Sequence, residues 1–412
     1  MRAEGAIRPQ PQANQRKLRY DSRRMDTKPI HPSGHTCAPV IRPDNCGRIA
    51  LVLQGGGALG AYQGGVYQAL HEAGLEPEWV SGVSIGAVNS ALIAGNAPER
   101  RMAALCEFWD RVTDRTIWPY TPDGDIYRQT RNTVSALTTA LFGQPGLFNP
   151  HKINPWFLAP GAKDATSFYD NTPLKQTLEE LVDFKRLNDG DVHFSVGAVN
   201  IMTGNFVFFD NRKEEIRIEH VLASGALPPA FPMVRIGTDY FWDGGIVSNT
   251  PLQHLLAQDD DINSLVFQVD LFSARGELPR TMSDVLGRQK DIQYSSRTRQ
   301  VTDSFARLQR WKRRAYEALV KVPDADLTQE QRAMREKLAR LPQATILQLI
   351  YQQKSYEGNA RDYEFSADSM HEHWNNGHED TLATLKRKDW LEMPPPDIGV
   401  VTHDVHREYE GR

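Results

Sequence analysis

A serine flanked by glycines is the residue best placed to do chemistry. Ser84 is the centre of a G-x-S-x-G pentapeptide, with Gly82 and Gly86 on either side of it. The pentapeptide follows a strand-like stretch that begins at residue 78 and precedes a helix-like stretch over 87–94. This context predicts a sharp strand-to-helix turn that exposes the serine hydroxyl as a nucleophile for acyl transfer. The structural alternative is a glycine-rich turn with an unreactive serine.

A second glycine cluster lies at another predicted strand-to-helix junction. Gly55, Gly56 and Gly57 follow an apolar run, and Gly60 precedes a helix predicted over 61–73. Backbone N–H groups at such a junction bind negative charge, which in acyl hydrolysis is the oxyanion of the tetrahedral intermediate. These residues also fit the G-x-G-x-x-G pattern of dinucleotide sites. Ser84, however, ends the second strand, where such a site requires an acidic residue.

An aspartate followed by two glycines forms the third motif. Asp243 comes after a strand-like stretch at 239–242, and Gly244 and Gly245 come directly after it. Taken alone, Asp-Gly is typical of a hairpin turn. The motif therefore acquires a functional meaning only from its combination with the other two.

The three motifs, in this order, resemble those of the patatin-like phospholipase family, which has G-G-G-x-x-G, then G-x-S-x-G, then D-G-G or D-G-A. The stretches at 223–232 and 249–251 also resemble that family, and the similarity covers about residues 47 to 270. The resemblance implies that Ser84 is the nucleophile and Asp243 its base. It further implies an oxyanion hole made by the backbone N–H groups of three glycines: Gly55, Gly56 and Gly57.

The base is the part of this assignment that needs a separate physical argument. Serine nucleophiles usually depend on histidine, but these histidines stand in no motif-like context: His71, His193, His220 and His254. A free aspartate has a pKa near 3.9 and is a weak acceptor. Burial raises that pKa, and an oxyanion hole stabilises the charge formed as the proton leaves. We therefore predict a Ser-Asp dyad, with His220 or His254 as the alternative base.

The resemblance implies a lipid acyl hydrolase, a phospholipase A or related carboxylic ester hydrolase, that forms an acyl-enzyme on Ser84. It implies no metal and no organic cofactor. Leu59 stands where the family often has Arg or Lys, so a preference for anionic head groups stays open. Two other functions also stay open: an esterase or depolymerase for short acyl or hydroxyacyl esters, and a scaffold that works through its C-terminal region.

Alternating strand-like and helix-like stretches predict an α/β fold for residues 47 to 272. The strands are expected at 49–53, 78–83, 193–201, 205–210 and 264–271. The resemblance implies a three-layer sandwich around a mostly parallel central sheet. Residues 273 to 380 are expected to form a helical C-terminal region, which resembles a region of unknown function in some bacterial family members, with residues 381 to 412 as a tail.

Residues 1 to 46 are rich in basic residues and proline and poor in large apolar ones, which predicts a disordered tail. The cysteines and histidines of this segment match no standard zinc spacing: His31, His35, Cys37 and Cys46. Three further histidines are expected at the surface: His371, His373 and His378. We expect no metal site.

Composition bears on partners and location. A net charge of −4 gives no indication of nucleic acid binding, and none is expected. Three cysteines suit a reducing compartment. No apolar stretch has transmembrane length and the N-terminus lacks a secretory signal, so a cytoplasmic location is expected. The sequence does not indicate the oligomeric state.

Two segments suggest peripheral contact with a membrane surface. Apolar loops containing Phe148 and Trp156 could rest on a bilayer, or could simply pack on the domain. Residues 280 to 321 carry eleven basic and four acidic side chains. This basic stretch could attract anionic lipid or be an ordinary solvated face.

Overall fold

A mostly parallel β-sheet with helices on both faces forms the centre of the protein. The computed structural model describes residues 39–113, 125–258, 260–354 and 356–406. The strands within these ranges are β1 (Arg48–Leu53), β2 (Trp79–Gly82), β3 (Asn149–Pro150), β4 (Tyr169–Asp170), β5 (His193–Asn200), β6 (Phe206–Asp210), β7 (Val234–Ile236), β8 (Asp239–Asp243), β9 (Ser264–Asp270), β10 (Ala344–Ile350) and β11 (Val400–Asp404). The α/β fold class predicted from the sequence is confirmed.

Helices alternate with these strands along the chain. They are α1 (Ala61–Glu72), α2 (Ile85–Ala94), α3 (Pro98–Arg111), α4 (Asp125–Phe142), α5 (Thr172–Leu181), α6 (Phe184–Asp189), α7 (Ile218–Ser224), α8 (Leu252–Leu256), α9 (Met282–Tyr294), α10 (Thr298–Val320), α11 (Gln329–Leu338) and α12 (Ala367–Leu385). Short 3₁₀ turns at Gly57–Gly60, Gly244–Ile246 and Arg361–Tyr363 bear on the functional site.

The strand order places the two main glycine motifs side by side. The sheet runs β11-β10-β9-β1-β2-β5-β8-β7, and β6 also pairs with β5. From β11 to β5 the neighbours are parallel, whereas β6, β7 and β8 are antiparallel additions. Parallel strands that are covered on both faces usually have apolar residues along their whole length. Strand β1 is such a strand, because it is buried at every position. Leu53 pairs with Gly82, so β1 and β2 end together.

The C-terminal region is helical, as predicted, but it also contributes two strands that the sequence did not suggest. β10 pairs in parallel with β9, and β11 pairs in parallel with β10. Val301 and Phe305 of α10 pack against the core formed beneath these strands. The region therefore extends the central sheet and is not a separate helical appendage.

Helix α12 packs closely against α1, the helix that follows Gly55, Gly56 and Gly57. A Cβ on Gly65 would lie 1.8 Å from the Trp374 carbonyl oxygen, and one on Gly377 would lie 2.0 Å from the Tyr62 carbonyl oxygen. Only glycine permits so close an approach of two helix backbones. Trp374 fills the crossing, and its Nε1 donates a 2.6 Å hydrogen bond to Gln68.

Both predicted tails contain ordered structure where the chain is described. Residues 1 to 38 lie outside the described residues, but Val40 donates its N–H to the Ala73 carbonyl and Arg42 pairs with Glu78 at 2.8 Å. At the other end, α12 continues to Leu385, and β11 lies within the predicted tail of 381–412. The domain boundaries at 46, 272 and 380 stay a prediction.

Candidate active site

Ser84 lies at the turn between β2 and α2 with a strained backbone. Its φ of 56° is positive, which is the left-handed region that side chains other than glycine rarely adopt. Such strain is concentrated at functional sites. The flanking glycines permit the turn, because a Cβ on Gly82 would lie 2.2 Å from the Gly86 carbonyl oxygen, and one on Gly86 would lie 2.3 Å from that of Leu53.

A second serine holds this turn in place. The Ser84 N–H lies 3.1 Å from both the carbonyl oxygen and the Oγ of Ser224. Ser224 is buried at the end of α7 and donates its hydroxyl to the Gly197 carbonyl at 2.7 Å. The stretch at 223–232 was the only sequence signal for this role, and the spacing alone did not identify Ser224.

Asp243 ends β8 and contacts Ser84. Its side chain is 1 % exposed, and its Oδ1 accepts a 2.7 Å hydrogen bond from the Gly245 N–H. The Ser84 side chain lies close enough to the same carboxylate to favour its ionised form. Burial raises the pKa of Asp243 to about 7, although the Gly245 N–H and the Ser84 side chain act in the opposite direction. A carboxylate with a pKa near 7 is suited to take a proton at neutral pH.

The histidines considered as an alternative base have other partners. Their contacts are His71 with Glu76, His193 and His254 with Asp210, and His220 with the backbone of Arg217. None of these contacts reaches Ser84 or Asp243. The geometry therefore favours the aspartate as the base.

Several backbone N–H groups near Ser84 are candidates for an oxyanion hole. Among the described residues, the N–H groups of Gly56 and Gly57 have no hydrogen-bond acceptor, whereas that of Gly55 donates to Asn249 at a long 3.4 Å. The N–H of Ile85 is also free within the same ranges, because Ile85 begins α2. The residue after the nucleophile commonly supplies one oxyanion donor, so Ile85 is a candidate that the sequence interpretation did not name.

Comparison with known proteins identifies the family of the chain. A model of the patatin-like phospholipase family matches residues 51–256, which is half of the chain. The chain belongs to this family. A second model, described as patatin phospholipase, matches residues 292–397 and covers most of the C-terminal region. The resemblance stated from the three motifs is confirmed.

Individual relatives are distant and much longer. Lysophospholipase NTE1 of Phaeosphaeria nodorum is 24 % identical over 295 residues, 69 % of this chain and 16 % of that protein. The Aspergillus niger protein of the same name is 26 % identical over 277 residues, which are 65 % of this chain and 15 % of that protein. The Aspergillus terreus protein is 55 % identical over 53 residues, which are 13 % of this chain and 4 % of that protein. The chain thus spans at most 16 % of the length of these relatives. VipD from Legionella pneumophila gives a TM-score of 0.38 at 15 % identity, over 87 % of this chain and 72 % of that one.

The remaining patatin-like motif glycines are explained by close packing. A Cβ on Gly55 would lie 2.9 Å from the Ser84 Cβ, and one on Gly60 would lie 2.5 Å from the Ile85 Cγ1. A Cβ on Gly244 would lie 2.7 Å from a carbonyl oxygen of β5. These glycines bring the loop after β1, the nucleophile turn and the Asp243 turn together. Leu59, where the family often has a basic residue, is uncharged and fully buried, so position 59 places no charge near the site.

Within the described residues, no cluster of three or more histidine, cysteine or acidic side chains is arranged to hold a metal. Cys46 is buried and contacts the Arg48 carbonyl, while His31, His35 and Cys37 lie outside those residues. The prediction that His373 and His378 are surface residues was wrong. Both are buried on α12, where they bind Glu357 and Glu72, respectively.

The expected apolar loops divide into a buried and an exposed part. Phe148 is 5 % exposed and packs against Tyr169 and Phe231, so of the two alternatives Phe148 follows packing on the domain. Trp156 and Phe157, by contrast, are each 84 % exposed. In the described part of the chain, no helix has both the length and the apolar character needed to span a bilayer.

Proposed function

We propose that this patatin-like protein is a serine lipid acyl hydrolase that uses Ser84 and Asp243 as a catalytic dyad. The observation that carries the proposal is the position of Ser84 beside a buried Asp243 carboxylate, whose pKa burial raises to about 7 and whose ionised form the Ser84 side chain favours. A buried aspartate beside a strained, partly exposed serine is an arrangement with a chemical use, beyond the turn hydrogen bond that Asp243 accepts from Gly245.

The reaction proceeds through two acyl transfers. The Ser84 Oγ attacks the ester carbonyl carbon as its proton passes to Asp243, and the carbonyl electron pair becomes an oxyanion held by the free N–H groups of Gly56 and Gly57. Collapse of this intermediate expels the alcohol, which takes the proton from Asp243. Water then attacks the acyl-enzyme and gives its proton to Asp243, and the second collapse returns a proton to Ser84 and releases the carboxylic acid.

The raised pKa lowers the cost of the first proton transfer. An ordinary aspartate has a pKa near 3.8, and the value at Asp243 is about 7. Each pKa unit corresponds to about 1.36 kcal/mol, so burial makes this carboxylate a stronger acceptor by about 4 kcal/mol. Oxyanion donors typically contribute about 3 to 4 kcal/mol each, so the base and the glycine loop are of similar importance.

Family membership supports a lipid ester as the substrate. The long relatives are named lysophospholipases, and we infer that a phospholipid or lysophospholipid is cleaved here too. An esterase for short acyl chains would use the same dyad. A series of esters of increasing chain length separates the two, because a lipid hydrolase should gain kcat/KM with each added methylene up to long chains.

Peripheral contact with a membrane is the second part of the proposal. Arg128 and Arg131 attach one face of α4 to Glu372 and Asp368 of α12 at 2.6 and 2.5 Å. The face opposite the buried Asn132, Ala136 and Thr139 exposes Val134, Leu137 and Leu141, and Phe142 is exposed at the end of the helix. Residues 132–150 contain no charged side chain. An amphipathic helix of this kind, followed by an exposed Trp156, is typical of contact with the surface of a bilayer.

Sedimentation with phosphatidylcholine vesicles tests this contact. The double variant Leu141→Ser/Trp156→Ser should lose most of the bound fraction. Leu278→Ser is the control, because Leu278 is also highly exposed but lies in the loop after β9. Equal binding of wild type and double variant would exclude α4 and its neighbouring loop as the contact.

Intact-mass labelling with a long-chain fluorophosphonate tests the dyad. Wild type should gain the mass of one adduct, Ser84→Ala should gain none, and Asp243→Asn should react far more slowly. Release of fatty acid from mixed phospholipid vesicles should follow the same order. Turnover that survives in Ser84→Ala would exclude the proposed nucleophile, and labelling without fatty acid release would indicate smaller esters.

A further inference from the structure

The C-terminal region reaches the glycine loop through a backbone contact at Gly57. The φ of Gly57 is +56°, and a Cβ at this position would lie 2.2 Å from the carbonyl oxygen of Asp362. Asp362 is in the 3₁₀ turn Arg361–Tyr363, well outside the residues that the first family model matches. The N–H of Gly57 is one of the proposed oxyanion donors, so the position of this 3₁₀ turn bears on the geometry of the loop.

Two adjacent ion pairs fix the 3₁₀ turn against α9. Lys290 donates to the Asp362 Oδ1 at 2.7 Å and to the Asn359 carbonyl at 2.9 Å. The next residue of α9, Asp291, accepts from Arg361, and both of these side chains are at most 10 % exposed. Consecutive residues of opposite charge on α9 thus pair with consecutive residues of opposite charge on the turn. This pattern specifies one register, because a shift by one residue would place like charges together.

The end of α9 holds the same loop from its other side. The Tyr294 carbonyl accepts hydrogen bonds from Gln54 at 2.9 Å and from Asn249 at 3.0 Å. The same Asn249 amide also donates to the Gly55 carbonyl at 3.0 Å. The loop that carries the three glycines therefore lies between the last residue of α9 and the 3₁₀ turn that α9 binds.

We propose that Lys290, Asp291, Arg361 and Asp362 form a clamp that positions the oxyanion loop, so that the C-terminal region is part of the catalytic machinery. The inference rests on the proposed hydrolase function and assigns a role to a region that has none so far. These are positioning residues, because they act through the backbone of Gly57 and do not touch the substrate. The free N–H groups of the loop must meet a charge that exists only after attack on the carbonyl, so the clamp should affect kcat and leave KM nearly unchanged.

Lys290→Met and Asp362→Asn test the clamp. Misplacement of a catalytic group by about 1 Å costs up to about 100-fold, so we expect each variant to lose at least about 10-fold in kcat with KM changed by less than about 3-fold. Lys290→Arg, which preserves the ion pair, should retain most of the wild-type kcat. Lys185→Met is the matched control, because it breaks an exposed lysine–aspartate pair on α6, at 3.0 Å from Asp189.

Hydrogen–deuterium exchange supplies a readout that does not depend on activity. In Lys290→Met the amides of residues 55–60 should exchange at least about 10-fold faster than in wild type, while those of β5 should not change. Wild-type kcat together with unchanged exchange at 55–60 in both clamp variants would overturn the proposal, as would an equal loss of kcat in Lys185→Met. If wild type neither labels nor turns over esters, the hydrolase function fails, and the exchange result still decides whether the clamp holds the loop.

Discussion

Replacing Asp243 by asparagine separates the energetic cost of the buried base from its chemical use. The Asn side chain has nearly the same shape and can still accept the Gly245 N–H bond that Asp243 accepts at 2.7 Å. The substitution removes the group that can ionise. Wild type must bury a charged carboxylate at high pH, at a position where burial raises the pKa of Asp243 to about 7, whereas the asparagine of the variant stays neutral.

The size and the sign of the effect follow from this pKa. The folded-state pKa of about 7 lies above the ordinary 3.8, so the folded protein favours the protonated carboxyl. The stability that protonation contributes is therefore fully present below about pH 4 and is lost as the pH rises through about 7. At about 1.36 kcal/mol for each pKa unit, the total loss is about 4 kcal/mol, of which roughly 3 kcal/mol falls between about pH 5 and about pH 8.5.

Chemical denaturation of wild type and Asp243→Asn at these two pH values measures the effect. We expect the free energy of unfolding of the variant, relative to wild type, to rise by about 3 kcal/mol from the lower to the higher pH. Asp239→Asn is the control, because Asp239 begins the same strand but is exposed, and its difference from wild type should stay nearly constant. In parallel, kcat/KM of wild type should rise with pH with an apparent pKa of about 7.

Two results would refute the reasoning. A stability difference between wild type and Asp243→Asn that does not change with pH would mean that the Asp243 pKa is ordinary and that burial does not activate the base. A pH profile of kcat/KM that is already flat above about pH 5 would lead to the same conclusion. Either result would return attention to a histidine base.

Two further outcomes follow from the packing of the site. Gly57→Ala should lower kcat at least about 100-fold with little change in circular dichroism, because the added Cβ would collide with the Asp362 carbonyl and displace a proposed oxyanion donor. Gly204→Ala is the control and should keep its activity, because Gly204 also has a positive φ but has open space around it. Truncation after Phe272 should give a protein without cooperative unfolding, because β9, which is buried and apolar in the intact sheet, would become an exposed edge strand. A folded, active truncation would show that β10 and β11 are dispensable.

The local parts of the site were predictable because each depends on a short run of residues. Gly82 and Gly86 around Ser84 specify a strained turn, and Asp-Gly-Gly after a short strand specifies another. The order of these motifs then identified the family. The position of Phe148, by contrast, could not be predicted, because whether an aromatic residue in a loop is buried depends on distant partners, here Tyr169 and Phe231.

The C-terminal region escaped the sequence interpretation for a different reason. The run at 344–350 is short and apolar, and such a run does not distinguish a strand from part of a buried helix. Its neighbour in the sheet, β9, is more than seventy residues earlier in the chain. The pairing of Lys290 with Asp362 has the same property, since nothing local to either residue indicates the other. Long-range pairings of this kind require the fold.

The proposed Ser84–Asp243 dyad gives a reason for these long-range contacts. A histidine base has a pKa near neutrality without help, whereas an aspartate reaches about 7 only when it is buried, as Asp243 is. In the proposed mechanism the proton transfer is completed only if the oxyanion is well stabilised, so the mechanism requires a fixed position of Gly56 and Gly57. A loop of glycines cannot fix its own geometry, because glycine loses the most conformational freedom on ordering. External contacts must fix it, and in this protein they come from Asn249 and the C-terminal region.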